Sequence, residues 1–568
     1  MKANETRIDK FLASNETTFA IPVYQRNYDW TQTQCRQLFN DILQAGLNED
    51  LPAHFVGSIV YVHDGVYSAS GLTELTIIDG QQRLTTITLI YVALYRLAKK
   101  LNNQQLSARI HKTYLINEFA PEEEKLKLKP TDNNKQALQH ILNADDETDF
   151  RGYSRLVENF NYFKSSITSS NFETVQKGLS KLIFIDIALD RHKDNPQRIF
   201  ESLNSTGLEL SQADLIRNYI LMDLPRDVQD RIYKTYWDEI EKNAKDETQN
   251  KSRVSDFIRD YLTLKNKEIP NKGEVYIKFK EKHPTTSVSN LEIVLTELKS
   301  LVRYYNRLIN PSNENDPQIR QQLEYISGLE INVAYPFLMK VYEDFSGGKI
   351  DKSTFLSILG LTQSYTFRRF VVGLPTNALN KIFMVLYDRI KPENYLGSIQ
   401  ATLMERSGSQ RFPRNSEIVA ALKTKDMYAI RPKNRSYFFD RLENHNNLEK
   451  VAVEANPALT IEHIFPQNPD PRWRLDLGAE EYNFIKDNYL NTIGNLTLSG
   501  NNGKLGNKPF LEKREMNEDG KEQGYKYSRL WLNRELKDLS RWGSKEIEAR
   551  LNIVSERVLK IWEIPEIE

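Results

Sequence analysis

Apolar residues fall in short β-branched runs in the first third of the chain and recur at helical spacing beyond it. Residues 55–62 (FVGSIVYV) have the length and composition of a buried strand. Residues 75–78 predict a second short strand, 85–97 a mostly buried helix, and 182–189 (LIFIDIAL) a further strand. Residues 204–223 open with the polar turn Asn204-Ser205-Thr206-Gly207. They continue as a helix capped by Ser211, with Asp214 three residues on. From about 225 to 400 the period changes. Leu301, Tyr304, Tyr305 and Leu308 mark the core face of one helix, and Gly347-Gly348 and Pro375 punctuate helices, so this stretch reads as a helical middle domain.

Composition bounds the picture. At about 150 residues per domain, 568 residues suggest three to four domains. The pattern divides them into 1–225, 226–400 and 401–568. Lys+Arg and Asp+Glu are both 77, with 39% apolar and 27% charged residues. That balance excludes a uniformly basic nucleic-acid coat and an acidic disordered tail. A single cysteine, Cys35, excludes an intrachain disulfide and a Cys-rich zinc site, and reads as a small core side chain. No run reaches the roughly 18 apolar residues of a membrane span. The charged start MKANETRIDKF lacks the apolar core of a secretory signal, so the expectation is a cytoplasmic protein with no membrane partner.

The neutral total hides a local asymmetry. Residues 406–435 hold eight basic side chains (Arg406, Arg411, Arg414, Lys423, Lys425, Arg431, Lys433, Arg435) against Glu417 and Asp426, a net of +6. Such a run is either a solvated face or a phosphate-contacting surface. Downstream, Glu462 and His463 sit side by side in the apolar segment TIEHIFPQ. Gly494-Asn495-Leu496-Thr497-Leu498 follows, with Asn495 32 residues after His463 and Asn502 seven further on. A β-hairpin followed by a helix would bring these together, although neighbours on a strand point to opposite faces unless the strand bends. Hydrolysing a phosphodiester needs a base for water and a cation against the developing charge. His463 can be the base, and Glu462 and Asn502 offer oxygen ligands to a hard cation such as Mg²⁺ or Mn²⁺. Asn495 can hydrogen-bond the imidazole.

Near the N-terminus, IPVYQRNYDW (21–30) is dense in aromatic and hydrogen-bonding side chains, among them Gln25 and Arg26. Asp79-Gly80-Gln81-Gln82-Arg83 lies at a strand-to-helix turn. There Gly80 frees the backbone, the helix N-terminus favours an anion, and Arg83 can grip phosphate. The alternative is a capped turn with a surface arginine. No G-x-x-x-x-G-K-[ST] occurs, which excludes a P-loop.

The C-terminal residues resemble the HNH (ββα-metal) nucleases. The E-H-I-x-P-Q start and G-N-L-T-L block are similar to the C-terminal nuclease domain of the GmrSD-like type IV restriction enzymes. The D-G-Q-Q-R and Y-Q-R segments, with FESLNSTGLEL (200–210) and Asp214-Leu215-Ile216-Arg217-Asn218, look like that family's ParB/sulfiredoxin-like N-terminal domain. The segments Tyr365-Thr366-Phe367-Arg368-Arg369-Phe370 and Gly373-Leu374-Pro375-Thr376 resemble its connecting part.

The resemblance implies an α+β multidomain protein: a ParB/sulfiredoxin-like α/β domain, a helical middle, and a mostly helical C-terminal domain around a ββα-metal core. It implies His463 as base, Asn495 as the central asparagine, and Glu462 and Asn502 as metal ligands; the spacing admits Asn501 in place of Asn502. It implies that Asp79, Gly80, Gln81, Gln82 and Arg83, with Gln25 and Arg26, bind and hydrolyse a nucleoside triphosphate (ATP, GTP or UTP). Asn204, Asp214 and Arg217 belong either to that site or to a turn and a helix face. Lys423, Lys425, Arg431, Lys433, Arg435, Lys504 and Lys508 would meet double-stranded DNA, modified phage DNA in particular, and the chain could pair as a homodimer. The activity implied is modification-dependent DNA cleavage in phage defence; the alternative is a nucleotide-responsive DNA-binding regulator with an inactive HNH fold.

Overall fold

The β-branched run predicted at 55–62 is the long strand of a six-stranded mixed sheet. In the computed structural model, the residues described are all except 1, 15–16, 64–72, 119, 122–123, 144–149, 151–152, 191–193, 195, 198, 201–209, 285–286, 454 and 567–568. The polar turn 204–207, with Asn204, and most of the 200–210 segment therefore lie outside the described residues. The chain is an α+β multidomain protein and divides into two compact units, Met1–Glu239 with Tyr276–Leu295, and Ile240–Val275 with Thr296–Glu568. Among the described residues no helix is long and apolar enough to cross a membrane.

In the first unit, β1 (Lys2–Arg7), β2 (Thr17–Ala20), β3 (His54–His63), β4 (Thr73–Asp79), β5 (Leu128–Lys129) and β6 (Leu182–Asp190) lie in the order β1-β6-β3-β4-β2-β5. β6 is parallel to β3 and antiparallel to β1, β3 is antiparallel to β4, and β2 is parallel to both β4 and β5. The predicted strands at 75–78 and 182–189 are β4 and β6. The helix predicted at 85–97 is Gln81–Lys100. Residues 84–94 of this helix are buried on every face, as an all-round apolar helix must be. Each of its fully buried aliphatic side chains, such as Leu84, Ile87 and Ile90, contributes about 1.5–3 kcal/mol. Its internal threonines stay satisfied by bonding back one turn, Thr86 to Gln82 and Thr88 to Leu84. Cys35 is a buried core residue. The Ser211–Asp214 cap is present and starts the helix Gln212–Leu221.

The second unit is mostly helical. Its central helix, Lys352–Val372, carries two fully buried arginines, and both act on backbone. Arg368 donates to the carbonyls of Trp562 (2.6 Å) and Pro413 (2.8 Å) and to Asn415 Oδ1 (2.6 Å). Arg369 donates to the carbonyls of Ser409 and Pro375. Burying a guanidinium is costly unless its donors are met; Arg369 Nε alone of the two groups' donors is buried without a partner among the described residues, and the other bonds tie the segment around 409–415 and the residues at Trp562 to this helix. Phe367 stacks on Trp562 at 3.8 Å between ring centroids and strengthens the same junction.

Candidate active site

The strand Thr460–His463 pairs antiparallel with Leu496–Ser499, placing His463 opposite Leu496 and Glu462 opposite Thr497. The short helix Asn502–Leu505 follows directly. The two strands and the helix thus stand in the ββα order expected from the spacing. Gly494 permits the close packing of this hairpin on the helix Ser544–Ile561, since a Cβ there would lie 2.6 Å from Leu551.

The strand does not bend, so Glu462 and His463 face opposite ways. His463 Nε2 lies 3.0 Å from Asn491 Oδ1. Asn491 Nδ2 donates to Asp426 Oδ2 at 2.8 Å, and Asp426 Oδ1 accepts from the backbone N–H groups of Tyr428 and Ala429. Because Asp426 is an acceptor, it fixes the Asn491 amide with its oxygen toward the imidazole. Neutral His463 then carries its proton on Nε2 and leaves Nδ1 as the basic atom. The Tyr428 ring meets His463 edge-on at 4.5 Å, and Arg435 holds Tyr428 in place by bonding its carbonyl and lying over its ring. Burial, the largest influence, pushes the His463 imidazole below its ordinary pKa; the Asn491 bond opposes this.

On the other face, Glu462 is enclosed. Lys513 Nζ donates to Glu462 Oε1 at 2.6 Å and to the carbonyls of His463 (2.9 Å) and Ile464 (3.2 Å), and Tyr525 donates to the same carboxylate oxygen at 3.2 Å. The Lys513 and Glu462 side chains are 0% and 3% exposed. Burial pushes Glu462 up and Lys513 down, while each partner opposes the shift of the other. Asn502 lies elsewhere, its Nδ2 donating to Ile461 O at 2.7 Å and to Thr460 Oγ1 at 3.2 Å. Among the described residues no group of three or more His, Cys, Asp and Glu side chains could hold a metal ion. The pair Glu462 and Asn502 therefore does not fit one Mg²⁺ or Mn²⁺ as arranged, because an ammonium already occupies the carboxylate. Asn501, the alternative ligand, donates its Nδ2 to Gln523 O at 3.1 Å, which leaves its Oδ1 uncommitted.

Asn495 does not reach the imidazole. It is fully buried: its Oδ1 accepts from Phe465 N (2.7 Å) and Trp542 Nε1 (3.1 Å), and its Nδ2 donates to the carbonyls of Phe465 and Leu490 (both 2.9 Å). The side chain extends the hairpin by one rung and pins the approach to it. The imidazole contact expected of Asn495 is made by Asn491. No motif or spacing in the sequence marks Asn491, Asp426, Tyr428 or Lys513 as part of this site. The one available signal was Asp426 standing as an acid inside the basic stretch.

That stretch is partly consumed within the protein. Arg411 pairs with Glu417, Arg431 with Glu330 at 3.4 Å, and Lys425 lies over the Phe370 ring at 4.6 Å. Lys508 and Lys504 lie 3.5 and 4.0 Å from Glu518. Lys423 and Lys433 are exposed, with no partner among the described residues.

In the first unit, Gly80 turns the chain with φ +90 from β4 into the helix Gln81–Lys100, as the D-G-Q-Q-R spacing predicts. The structure brings Gln25 and Gln81 together: Gln81 Nε2 donates to Gln25 Oε1 at 3.0 Å, and Gln25 donates to Ile78 O at 2.8 Å. Gln82 holds the aromatic segment through the N–H groups of Asp29 and Trp30 and the carbonyl of Asn27. Arg83 is turned inward, not toward an anion. Its Nη1 donates to the carbonyls of Val56 (2.7 Å) and Ser58 (2.9 Å), and a Cβ at Gly57 would lie 2.4 Å from it. Arg217 binds Tyr24 O and Asp214, a structural pairing. Arg26, the neighbour of Gln25 in sequence, is half-buried, with no partner among the described residues.

Comparison with known families defines the class as DNA-cutting restriction enzymes. The model of the GmrSD restriction endonuclease N-terminal domain matches residues 8–221, and that of the GmrSD restriction endonuclease C-terminal domain matches 412–556. Together they span more than half of the chain, which belongs to the GmrSD restriction endonuclease family. No curated protein matches the chain.

Proposed function

We propose that this type IV restriction nuclease is modification-dependent, works in the cytoplasm in phage defence, and divides its labour among 1–225, 226–400 and 401–568. The first region, of the ParB/sulfiredoxin-like kind, binds and hydrolyses a nucleoside triphosphate at the turn carrying Gly80 and Gln81, with Arg26 of the 21–30 segment. The last, of the HNH kind, cuts double-stranded DNA, and a homodimer would supply two cutting centres. The observation that carries this reading is the oriented imidazole of His463. Its Nδ1 takes a proton from water, the resulting oxygen attacks phosphorus, and the departing sugar oxygen collects a proton from solvent. A divalent cation, Mg²⁺ or Mn²⁺, would counter the developing charge. Glu462, held by Lys513, is not free to bind that ion as arranged.

A panel of phage DNAs with hydroxymethylated, glucosylated or phosphorothioate groups beside plain plasmid, with Mg²⁺ or Mn²⁺ and each nucleotide in turn, tests the reading. Cleavage restricted to one modified DNA and lost in His463→Ala supports it. Equal cutting of all DNAs removes the modification requirement. The Lys513–Glu462 pair favours a second reading, a nucleotide-responsive DNA-binding regulator; binding without cutting in the same panel selects it.

A further inference from the structure

A pocket of about 430 Å³ opens beside the hairpin, within the range of ligand sites, about 300–1,000 Å³. It lies on the face of the strand Thr460–His463 that carries His463. Ile461, two residues before His463 and so on the same face, lines the pocket, as does Leu498, which pairs opposite Ile461. Tyr428 lines it too, and the same Tyr428 ring meets the His463 ring at 4.5 Å. The helix Pro432–Asn444 contributes Arg435, Ser436 and Phe439.

Arg435 is the only charged side chain among the described residues of the lining, so the pocket favours an anion. Its place is fixed twice: Nη1 donates to the carbonyl of Tyr428, and the guanidinium lies 5.1 Å from the centre of the Tyr428 ring. Imidazole and guanidinium therefore share one neighbour, and they stand no farther apart than those two ring distances laid end to end. One nucleotide unit of a DNA strand can bridge such a span. The rest of the Arg435 fork bonds nothing among the described residues, whereas Arg411 and Arg431 of the same basic stretch are paired with Glu417 and Glu330. A free guanidinium fork matches two oxygens of a phosphate. Phe439, Val453, Leu459 and Leu498 make much of the remaining wall, an apolar surface that excludes water and strengthens a charge contact inside it.

We propose that Arg435 is a catalytic residue of the nuclease: its guanidinium binds the phosphate under attack and counters the charge that grows on the non-bridging oxygens. This rests on the reading of His463 as the base and adds the group that works against it. Water gives a proton to His463 Nδ1, its oxygen bonds to phosphorus, the bond from phosphorus to the leaving sugar oxygen breaks, and that oxygen takes a proton from solvent. The phosphate gains negative charge on the way, and Arg435 meets it there. Its charge is additional to that of any divalent ion.

The test compares the full-length parent with Arg435→Ala and Arg435→Lys on the duplex that the parent cuts, with Mg²⁺ or Mn²⁺. Arg435→Ala should lower the single-turnover kcat about a hundredfold to thousandfold while the Kd for DNA changes less than about tenfold. Arg435→Lys keeps the charge and loses the fork, so its rate should lie between the two. An arginine that only steadies Tyr428 would give the same loss on any duplex. A neutral methylphosphonate at the mapped cut position separates the two roles: there the penalty of Arg435→Ala should shrink about tenfold or more, because the charge to be countered is reduced. An undiminished penalty on that duplex, or a parental kcat in Arg435→Ala, overturns the proposal, as does a loss in both variants that follows a lowered melting temperature. His463→Ala is run beside them. If the parent cuts, His463→Ala does not and Arg435→Ala cuts as the parent does, the role of Arg435 falls alone. If the parent cuts no DNA, the nuclease reading falls and takes that role with it.

Discussion

The imidazole of His463 is anchored through Nε2 to Asn491 Oδ1 at 3.0 Å, and Asp426 decides which way that amide faces. Removing the anchor lets the ring rotate without taking away the proposed base. Asn491→Ala should therefore lower kcat about tenfold to hundredfold, within what a positioned base contributes, and leave the Kd for DNA nearly unchanged. Asp426→Ala should have the same sense and a smaller size. Single-turnover cleavage beside a binding titration checks both, and parental kcat in Asn491→Ala would remove the relay.

The rate should depend on pH in a direction set by burial. His463 must be neutral to take a proton, and burial lowers its pKa from the ordinary value of about 6.5. Cleavage should therefore rise with pH through a midpoint below about 6.5 and then level off. A kcat profile from pH 4.5 to 8 measures this midpoint. A value above 6.5 would contradict the buried, Asn491-bound imidazole.

Local patterns carried much of this architecture, and tertiary pairing carried the rest. The strands at 54–63 and 182–190, the Ser211 cap and the Gly80 turn follow from β-branching, capping chemistry and the need for positive φ. The insertion of β6 between β1 and β3 does not, because strand order joins segments more than 100 residues apart. The hairpin under His463 was readable from the spacing of two motifs. Which polar side chain meets the imidazole was not: Asn491 and Asn495 are the same residue type four positions apart, and only the packing of the 426–428 segment selects between them. Lys513 sits in FLEKRE (510–515), a run that reads as a solvated helix face, yet its ammonium is wholly enclosed.

Lys513 should behave as the partner of a buried charge. Lys513→Met alone leaves Glu462 unpaired and should cost about 3–5 kcal/mol, seen as a lowered melting temperature of the C-terminal unit. Adding Glu462→Gln to it removes the orphaned charge and should restore most of the loss. If Lys513→Met melts like the parent, the pair is not a structural element.

The basic stretch should divide by engagement. Lys423 is exposed and free of partners among the described residues, so Lys423→Ala should reduce the slope of log K against log salt by about 0.9. Lys425 is placed over Phe370, and burial lowers its pKa. Its replacement by Ala should change stability more than the slope. Filter binding of a duplex at four salt concentrations separates the two, and equal slopes for Lys423→Ala and the parent would return this surface to plain solvated charge.

At the N-terminal turn the two arginines should part company. Arg83 braces the carbonyls of Val56 and Ser58, so Arg83→Ala leaves two partly buried acceptors unmet, at about 1–3 kcal/mol. Gly57→Ala should be at least as damaging, because φ is +99 there and the new methyl would meet the guanidinium. Both changes should lower the melting temperature and weaken nucleotide binding together. Arg26 has no such duty, and Arg26→Ala should weaken nucleotide binding by calorimetry while the melting temperature stays put. If instead Arg83→Ala binds nucleotide poorly at full stability and Arg26→Ala binds it normally, then Arg83 swings out to the anion and the inward pairing is not the binding state.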